Sequence, residues 1–443
     1  MKPQNWINAT LPANGPPPKD LGKFLKWSLN GSFKILALSG LVSIITGMMD
    51  VSAALILGLM IDTALSSNGD NLFEGNFLLY AGSIIFFLIL RPFIFAASSY
   101  MQTIVVTPNI FNLVLSRIHR WTLDQSVTFF DNDFAGRIAQ KEMQTARAVS
   151  DVVVEILQTV LFALASIVGA TLMLFAVDKY LAATLFFWLI AYLAMIRFFM
   201  PIVRKRSGKR AGARAMVTGQ IVDTVTNIKT VKLFAHNDHE DQAAIRAMDD
   251  FRVRAIEYGV VASWFRFCLN FLGGILPVVM VGGSLWFWSN GNITAGDIAA
   301  TGTIALRLSQ MTGWVSYVLM ALYSNLGEIE DGMKTLSPDH DLTDSKHAKP
   351  LSVTSGKIEF EKVSFAYGGT VSSINDISLS VSSGEKVGVV GASGAGKSTL
   401  VSILLRLYNS DKGIVKIDNQ DLKLVTQESL RRQIGMVTQE TAL

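Results

Sequence analysis

The sequence has little cysteine and little charge. Cys268 is the only cysteine in 443 residues, so an intramolecular disulfide is excluded and nothing points to an oxidising compartment. Charged residues make up 17% of the chain, against about 25% in soluble domains, whereas half of the residues are hydrophobic. This composition predicts a membrane protein.

The amino terminus lacks the features of a secretory signal. Pro3, Asn5, Asn8 and the prolines at 16–18 stand where a signal would have its apolar core. We therefore expect a flexible tail, followed at residues 21–34 by an amphipathic helix whose apolar side chains alternate with lysines and which lies on the cytoplasmic membrane surface.

Six apolar runs are long enough to cross a bilayer, which takes about 20 residues. They occupy residues 35–61, 77–101, 152–177, 180–200, 260–288 and 298–323. Lysine and arginine cluster before the first run and after the second and fourth, while the segments after the first, third and fifth hold few bases. The positive-inside rule then predicts a multi-pass protein with a cytoplasmic amino terminus, two long cytoplasmic loops and a cytoplasmic carboxyl-terminal segment.

Three charged residues, Asp50, Arg91 and Arg307, fall well inside these runs. Such residues are costly in a membrane unless they face a cavity or a partner. Asp50 and Arg91 lie at similar depth on consecutive antiparallel helices, so we predict that they pair. The pair could serve helix packing or cargo binding.

A glycine-rich run near the carboxyl end carries the clearest chemical signal. Residues 391–399 match the Gly-x-x-x-x-Gly-Lys-Ser pattern of a phosphate-binding loop, between an apolar run at 385–390 predicted as a buried strand and a predicted helix at 400–407. Glycines let several backbone N–H groups converge on an anion, and the following helix N-terminus adds attraction. The alternative is a chance glycine-rich turn, which the strand–loop–helix order disfavours.

The pattern assigns chemistry to particular residues. Lys397 would reach the β- and γ-phosphates of a nucleotide, and the Ser398 hydroxyl would ligate Mg²⁺. The predicted nucleotide-binding residues of the run are Gly391, Ala392, Ser393, Gly394, Ala395, Gly396, Lys397, Ser398 and Thr399.

Six helices with two long cytoplasmic loops, followed by a phosphate-binding loop, resemble a half-transporter of the ABC exporter family. Residues 129–136 are similar to the family's segment between helices two and three, although Gln144-Thr145 stands where an Asn-Asp pair is common. Residues 223–235 resemble the second cytoplasmic loop, and residues 293–297 the start of helix six. The resemblance covers nearly the whole chain.

The resemblance implies a multi-domain protein. Residues 1–34 would form the tail and elbow helix, 35–330 an all-α six-helix transmembrane domain, 331–355 a linker, and 356–443 an incomplete α/β P-loop ATP-binding domain. The implied cofactors are ATP and Mg²⁺. Residues 356–367 alternate as a β-strand does, and Tyr367 at their end would stack on adenine. Gln439, at the place of the Q-loop glutamine and after an apolar run predicted as a strand, would approach the Mg²⁺ and the attacking water. Short helices near residues 124–131 and 223–235 would sit in clefts on the ATP-binding domains.

The resemblance also implies an activity. A dimer of half-transporters, identical or different, would use ATP to export an amphipathic small molecule, lipid or peptide across a bacterial inner membrane, with no nucleic acid as partner. The family's signature, acidic strand, catalytic glutamate and switch histidine would follow Gln439 and do not occur within these 443 residues. We therefore expect a truncated chain that binds ATP but cannot hydrolyse it alone. The alternatives are a nucleotide-sensing membrane subunit without transport and a non-functional remnant.

Overall fold

The computed structural model describes residues 5–67, 75–131, 135–233, 237–345, 347–367 and 371–437. The chain divides into two compact units. The membrane unit comprises Met1–Ala13, Asp20–Arg117 and Gln144–Asp331, and the sheet unit comprises Asn14–Lys19, Ile118–Met143 and Gly332–Leu443. The predicted domain limits remain predictions, but this division groups residues 118–143 with the sheet.

Helices account for nearly all of the first three quarters of the chain. In order they are α1 Leu21–Ser28, α2 Phe33–Ser66, α3 Phe77–Ile85, α4 Arg91–Tyr100, α5 Thr107–Leu123, α6 Val127–Asp131, α7 Ala135–Glu155, α8 Leu161–Val177, α9 Lys179–Thr226, α10 Ile228–Leu233, α11 Asn237–Ser289 and α12 Ala295–Leu336. Short π-helical turns at Phe86–Leu90, Met101–Val106 and Ile156–Val160 join neighbouring helices into longer rods.

Five helical segments of the described chain are long and apolar enough to span a membrane. They are Phe33–Ser66, Phe77–Leu123, Gly136–Val177, Lys179–Thr226 and Asp241–Ser289, and they contain the first five predicted runs. The sixth run lies within α12 but is not among these segments, so its place in a membrane remains a prediction. At 1.5 Å per residue, α9 is about 72 Å long and exceeds the roughly 30 Å hydrocarbon layer.

The membrane unit has a core of interlocking helices with small residues at the crossings. Leu174, Leu185, Leu276 and Met280 are buried at the centre of one cluster. A Cβ on Gly47 of α2 would lie 2.6 Å from the carbonyl oxygen of Phe162, so glycine permits close approach to α8. Large apolar side chains remain exposed on the outside of the helices, which suits contact with lipid.

The expectation of a flexible amino-terminal tail is wrong for residues 7–11. Ile7 is 2% exposed, and the Ser116 hydroxyl donates a hydrogen bond to the carbonyl oxygen of Ala9. The buried guanidinium of Arg117 donates to the carbonyl oxygens of Leu11, Trp27, Ser28 and Asn30. A buried charge requires such partners, and here the amino-terminal segment supplies them.

The sheet unit is built on an antiparallel sheet. Its elements are β1 Ile358–Tyr367, β2 Val371–Val381, α13 Lys397–Leu404, β3 Lys412–Ile417, β4 Gln420–Asp421 and α14 Gln427–Arg432. The strand order is β2-β1-β3-β4, so β1 is central, which confirms the alternating β-structure predicted for it. Phe360, Val363, Ile403, Val415 and Leu430 form the buried core between the sheet and the helices.

Two predicted strands are wrong. Residues 385–390 have no regular secondary structure, and Val390 is 93% exposed. Residues 434–437, the apolar run before Gln439, are likewise irregular, and Val437 is 94% exposed. A strand is stabilised by pairing with a neighbour, and none of the described strands pairs with either run.

Asp418, in the turn between β3 and β4, fastens the end of the predicted linker to the sheet. Its carboxylate accepts hydrogen bonds from the main-chain N–H groups of Thr354, Ser355, Gly356 and Lys357, and from the Ser355 hydroxyl. The Ser355 hydroxyl and these N–H groups lower the pKa of Asp418 well below its usual range.

Asp418→Asn is expected to lower the thermal stability of the sheet unit, because an amide offers one acceptor oxygen and no charge. The folded pKa lies below the unfolded value of about 3.9, so the carboxylate stabilises the fold fully above that pH. The difference in melting temperature between wild type and variant should be constant from pH 5 to 8 and shrink as the pH falls below about 4. Asp376→Asn, at an exposed aspartate that also has positive φ, is the control. A pH-independent difference would contradict the ionic origin.

Candidate nucleotide-binding loop

Residues 391–396 form a surface loop that ends at the start of α13. Gly394 and Gly396 have φ of 81° and 85°, in the left-handed region that favours glycine, and Gly396 is the residue that caps α13. The loop therefore delivers the chain to the helix N-terminus in the order that the sequence predicted, although the preceding run is not a strand.

The two glycines have different surroundings. A Cβ on Gly396 would lie 2.4 Å from the carbonyl oxygen of Ser373 in β2, so only glycine fits between loop and strand. No atom lies within 4 Å of a Cβ placed on Gly394, and the loop from Gly391 to Ala395 is exposed. The loop is thus held against the sheet on one side and open to solvent on the other.

Lys397 closes the loop with its ammonium group. Its Nζ donates hydrogen bonds to the carbonyl oxygens of Gly391 at 2.9 Å and Ala392 at 2.7 Å. Ser398 is exposed at the helix N-terminus, whereas Thr399 is 7% exposed and packs inward. The Lys397 ammonium group therefore lies on the same open surface as the exposed loop residues and the Ser398 hydroxyl. An ammonium group and main-chain N–H groups can donate hydrogen bonds to a phosphate, and a hydroxyl can ligate a cation bound to that phosphate.

Tyr367 lies beside this loop, at the end of β1. Its hydroxyl donates to the Thr399 hydroxyl at 3.3 Å, and its ring packs edge-on against Phe365 and Tyr408, with centroids 4.9 and 5.3 Å away. The side chain is nonetheless 45% exposed. The structure thus brings Tyr367 to the first turn of α13, and its stacking on adenine remains a prediction.

The tip of the first predicted cytoplasmic loop also lies in the sheet unit. Helix α6 ends at Asp131, which accepts a hydrogen bond from the Tyr408 hydroxyl. Burial, this hydrogen bond and the Asp131 charge raise the pKa of Tyr408. A cavity of about 250 Å³ beside this contact is lined by Ser126, Thr128, Asp341, Leu342, Phe365, Ala366, Tyr367, Leu407, Tyr408 and Asn409.

This contact joins the first loop tip to Tyr408 of the sheet unit, and the seating of the tip in a cleft on an ATP-binding domain stays a prediction. Tyr408 was not expected, because no local pattern links it to a residue 277 positions earlier. The second predicted tip corresponds to α10 in the membrane unit, where Leu233 is 78% exposed, and its binding to an ATP-binding domain stays a prediction. Gln439 lies outside the described residues.

Family models match both parts of the chain. The model of the ABC transporter transmembrane region matches residues 36–311, and the ABC transporter model matches residues 374–443. The chain belongs to the ABC transporter family. Its fused membrane and ATP-binding segments make it an exporter-type half-transporter, as the sequence predicted, and an integral membrane protein.

Individual relatives of this ABC transporter chain support the assignment. It is 34% identical to an uncharacterized ABC transporter ATP-binding protein of Haemophilus influenzae, over 99% of this chain and 72% of that protein. It is 25% identical to a Staphylococcus aureus protein named provisionally as a multidrug export ATP-binding/permease protein, over 82% of this chain. The matched region is 62% of the Staphylococcus protein, so the chain aligns with less than two thirds of it.

A solved structure confirms the fold. A bacterial Atm1-family ABC exporter with ATP bound superposes with a TM-score of 0.75 at 19% sequence identity, over 91% of this chain and 70% of that one. This similarity establishes the exporter architecture, with a helical membrane domain followed by the ATP-binding segment.

Proposed function

We propose that this ABC transporter chain binds ATP with Mg²⁺ at residues 391–399 and takes part in ATP-driven export of an amphipathic molecule. The observation that carries the proposal is the open loop in which Gly394 and Gly396 adopt positive φ and the Lys397 ammonium group donates to two loop carbonyl oxygens. Binding of an anionic phosphate would replace the carbonyl partners of Lys397, because phosphate is the stronger acceptor for an ammonium group.

Each residue of the loop has a part in this proposal. The main-chain N–H groups from Gly391 to Lys397 would donate to the phosphates, Lys397 would contact the β- and γ-phosphates, and the exposed Ser398 hydroxyl would bind Mg²⁺. The rest of the Mg²⁺ shell would come from the nucleotide, from water and from Gln439. The exposed part of the Tyr367 ring would stack on adenine, and its bond to Thr399 would hold the ring beside the loop. Bound ATP would supply the free energy for transport.

Coupling between the nucleotide site and the membrane helices would run through α6. Asp131 accepts a hydrogen bond from the Tyr408 hydroxyl, and the ring of Tyr408 packs against Tyr367 beside the proposed nucleotide loop. A shift of this aromatic pair would therefore reach α6, which lies in the loop between α5 and α7. Such coupling requires that ATP bind one conformation better than the other.

The remaining parts of the proposal concern partners and place. A second half-transporter would pair with this chain, since ABC exporters work as dimers, and the bacterial relatives favour the bacterial inner membrane with the sheet unit in the cytoplasm. The name of the Staphylococcus protein speaks of multidrug export, which suits an amphipathic cargo here.

Export can be tested in inverted membrane vesicles that contain the protein together with a complete half-transporter of the family, because the chain alone is expected to bind ATP without hydrolysing it. Mg-ATP should drive accumulation of an amphipathic fluorescent dye, and Lys397→Ala vesicles should not accumulate it. ATP binding to the purified chain is measured in parallel with a fluorescent ATP analogue. Binding without accumulation would contradict export and favour a nucleotide-sensing subunit.

Tyr408→Phe is expected to reduce coupling without loss of ATP affinity. The change removes only the hydroxyl that donates to Asp131, and a hydrogen bond to a charged group contributes about 1.5–3 kcal/mol. Dye accumulation should fall by up to about tenfold, because about 1.5 kcal/mol, the lower end of that range, corresponds to about a factor of ten. ATP affinity should stay within about twofold, since the ring contacts with Tyr367 remain. Tyr100→Phe, at an exposed tyrosine of α4, is the matched control. Equal accumulation by both variants would exclude the Asp131 contact as a coupling element.

A further inference from the structure

Asp50 in the membrane unit is held by two arginines rather than one. Its Oδ1 accepts a hydrogen bond from Arg91 Nη2 at 3.0 Å, which confirms the predicted pair. Its Oδ2 accepts from Arg307 Nε at 2.9 Å and Nη2 at 2.5 Å. These three residues, on α2, α4 and α12, are called here the Asp50 cluster.

The three residues lie at one depth in the bundle. Counted at 1.5 Å per residue, Asp50, Arg91 and Arg307 are each about 18–24 Å from the helix ends on the predicted outer side. They therefore lie near the middle of their predicted membrane spans, where a charged side chain is costly.

The cluster does not balance its own charge. One carboxylate faces two guanidinium groups, which leaves a net charge of +1. The cavity beside it, about 130 Å³, is otherwise lined by uncharged residues, namely Val51, Ala53, Ala54, Ser166, Ala170, Thr303, Ile304 and Leu308. Within the described lining, no second acid compensates the extra cation.

The arginines of the Asp50 cluster are accessible, whereas its carboxylate is buried. The Asp50 side chain is 4% exposed, whereas the side chains of Arg91 and Arg307 are 36% and 49% exposed. The buried Nε of Arg91 has no hydrogen-bond partner. A guanidinium carries five N–H donors, so donors remain beyond those that Asp50 uses. The nearby hydroxyls do not compete for them, because Ser166 and Thr303 donate to the carbonyl oxygens of Gly47 and Ala299.

We propose that the Asp50 cluster is a binding site for an oxyanion, the phosphate or carboxylate head of an amphipathic molecule. Arginine binds such groups through paired N–H donors. The anion would also neutralise the net charge of +1 near the middle of the membrane spans, where an unbalanced charge is costly. The neighbouring apolar residues would contact the hydrocarbon part of the ligand. As a statement about cargo, this rests on the proposed export function and gives the cargo an anionic head.

The sign of the charge provides the test. Hexyl phosphate is titrated into the purified full chain in neutral detergent, and binding is followed by the shift in melting temperature. Hexanol and hexylammonium are the neutral and cationic controls. Wild type should be stabilised by hexyl phosphate alone. Arg307→Gln, which makes the cluster neutral, should weaken binding about tenfold or more.

Asp50→Asn separates binding from a structural role. This change raises the cluster to a net charge of +2 and keeps an acceptor oxygen, so the ligand-free protein should melt earlier while hexyl phosphate binds at least as tightly as in wild type. Arg197→Gln removes an exposed membrane-unit arginine outside the cluster and should change nothing. If Asp50→Asn and Arg307→Gln weaken binding alike, or if neither does, the proposal is overturned.

Two further arms identify the source of the anion and separate this proposal from the export function. Competition with hexyl phosphate in phosphatidylglycerol nanodiscs, but not in phosphatidylcholine nanodiscs, would show that a lipid head occupies the site. If phosphatidylglycerol does not compete, the transported cargo is favoured as the source of the anion. ATP affinity is measured on the same samples and should be unchanged in Arg307→Gln. Sign-dependent hexyl phosphate binding without dye accumulation would contradict export while supporting the site.

Discussion

Lys397→Ala is expected to weaken ATP binding about 10- to 100-fold, because a charge-assisted hydrogen bond to phosphate contributes roughly 1.5–3 kcal/mol. The same ammonium group donates to the carbonyl oxygens of Gly391 and Ala392, so its loss also loosens the loop. Titration of the purified chain with a fluorescent ATP analogue and Mg²⁺ measures the change.

Lys386→Ala is the matched control for this experiment. Lys386 is an exposed lysine a few residues before the loop and should bind ATP as wild type does when changed to alanine. Far-ultraviolet circular dichroism checks that both variants keep their helices. ATP binding that survives Lys397→Ala would contradict the assignment of residues 391–399 as the nucleotide site.

Asp50→Ala is expected to destabilise the membrane unit more than the loss of either arginine of the Asp50 cluster. It leaves the guanidinium groups of Arg91 and Arg307 beside each other without their carboxylate, near the middle of the predicted membrane spans, where a charged side chain costs about 2.5–3.5 kcal/mol. Arg91→Gln and Arg307→Gln should cost less, because each leaves one arginine paired with Asp50. Thermal unfolding followed by tryptophan fluorescence in detergent measures the order of the three variants.

Asp241→Ala, at an exposed aspartate of α11, controls for the loss of a carboxylate as such and should leave the melting temperature unchanged. The fraction of protein that elutes as a single species in size-exclusion chromatography gives a second readout. Equal stability of Asp50→Ala and the two arginine variants would mean that Asp50 does not hold both guanidinium groups.

The parts of the molecule that local patterns could predict are those whose stability is local. The apolar runs became helices, and the alternation in residues 358–367 became the central strand. The loop at residues 391–396 formed where the glycine spacing required it, because positive φ at Gly394 and Gly396 is a property of single residues.

The predictions that were wrong share a different cause, which is dependence on distant partners. Residues 385–390 have the composition of a buried strand, but a strand requires a partner and no described strand provides one. The amino-terminal segment has the composition of a free tail, but Arg117, about 100 positions later, donates a hydrogen bond to it. Composition carries no information about such distant partners.

The sequence by itself determined that this is a membrane protein with the residue pattern of a phosphate-binding loop, because hydropathy and glycine spacing act over short stretches. Only the tertiary structure decided that Arg307 joins Asp50 and Arg91, and that Tyr408 joins Asp131. Those contacts link residues far apart in the chain, so they depend on how helices and strands pack. The cationic cluster in the membrane unit and the contacts from α6 through Tyr408 and Tyr367 to α13 both arise from that packing.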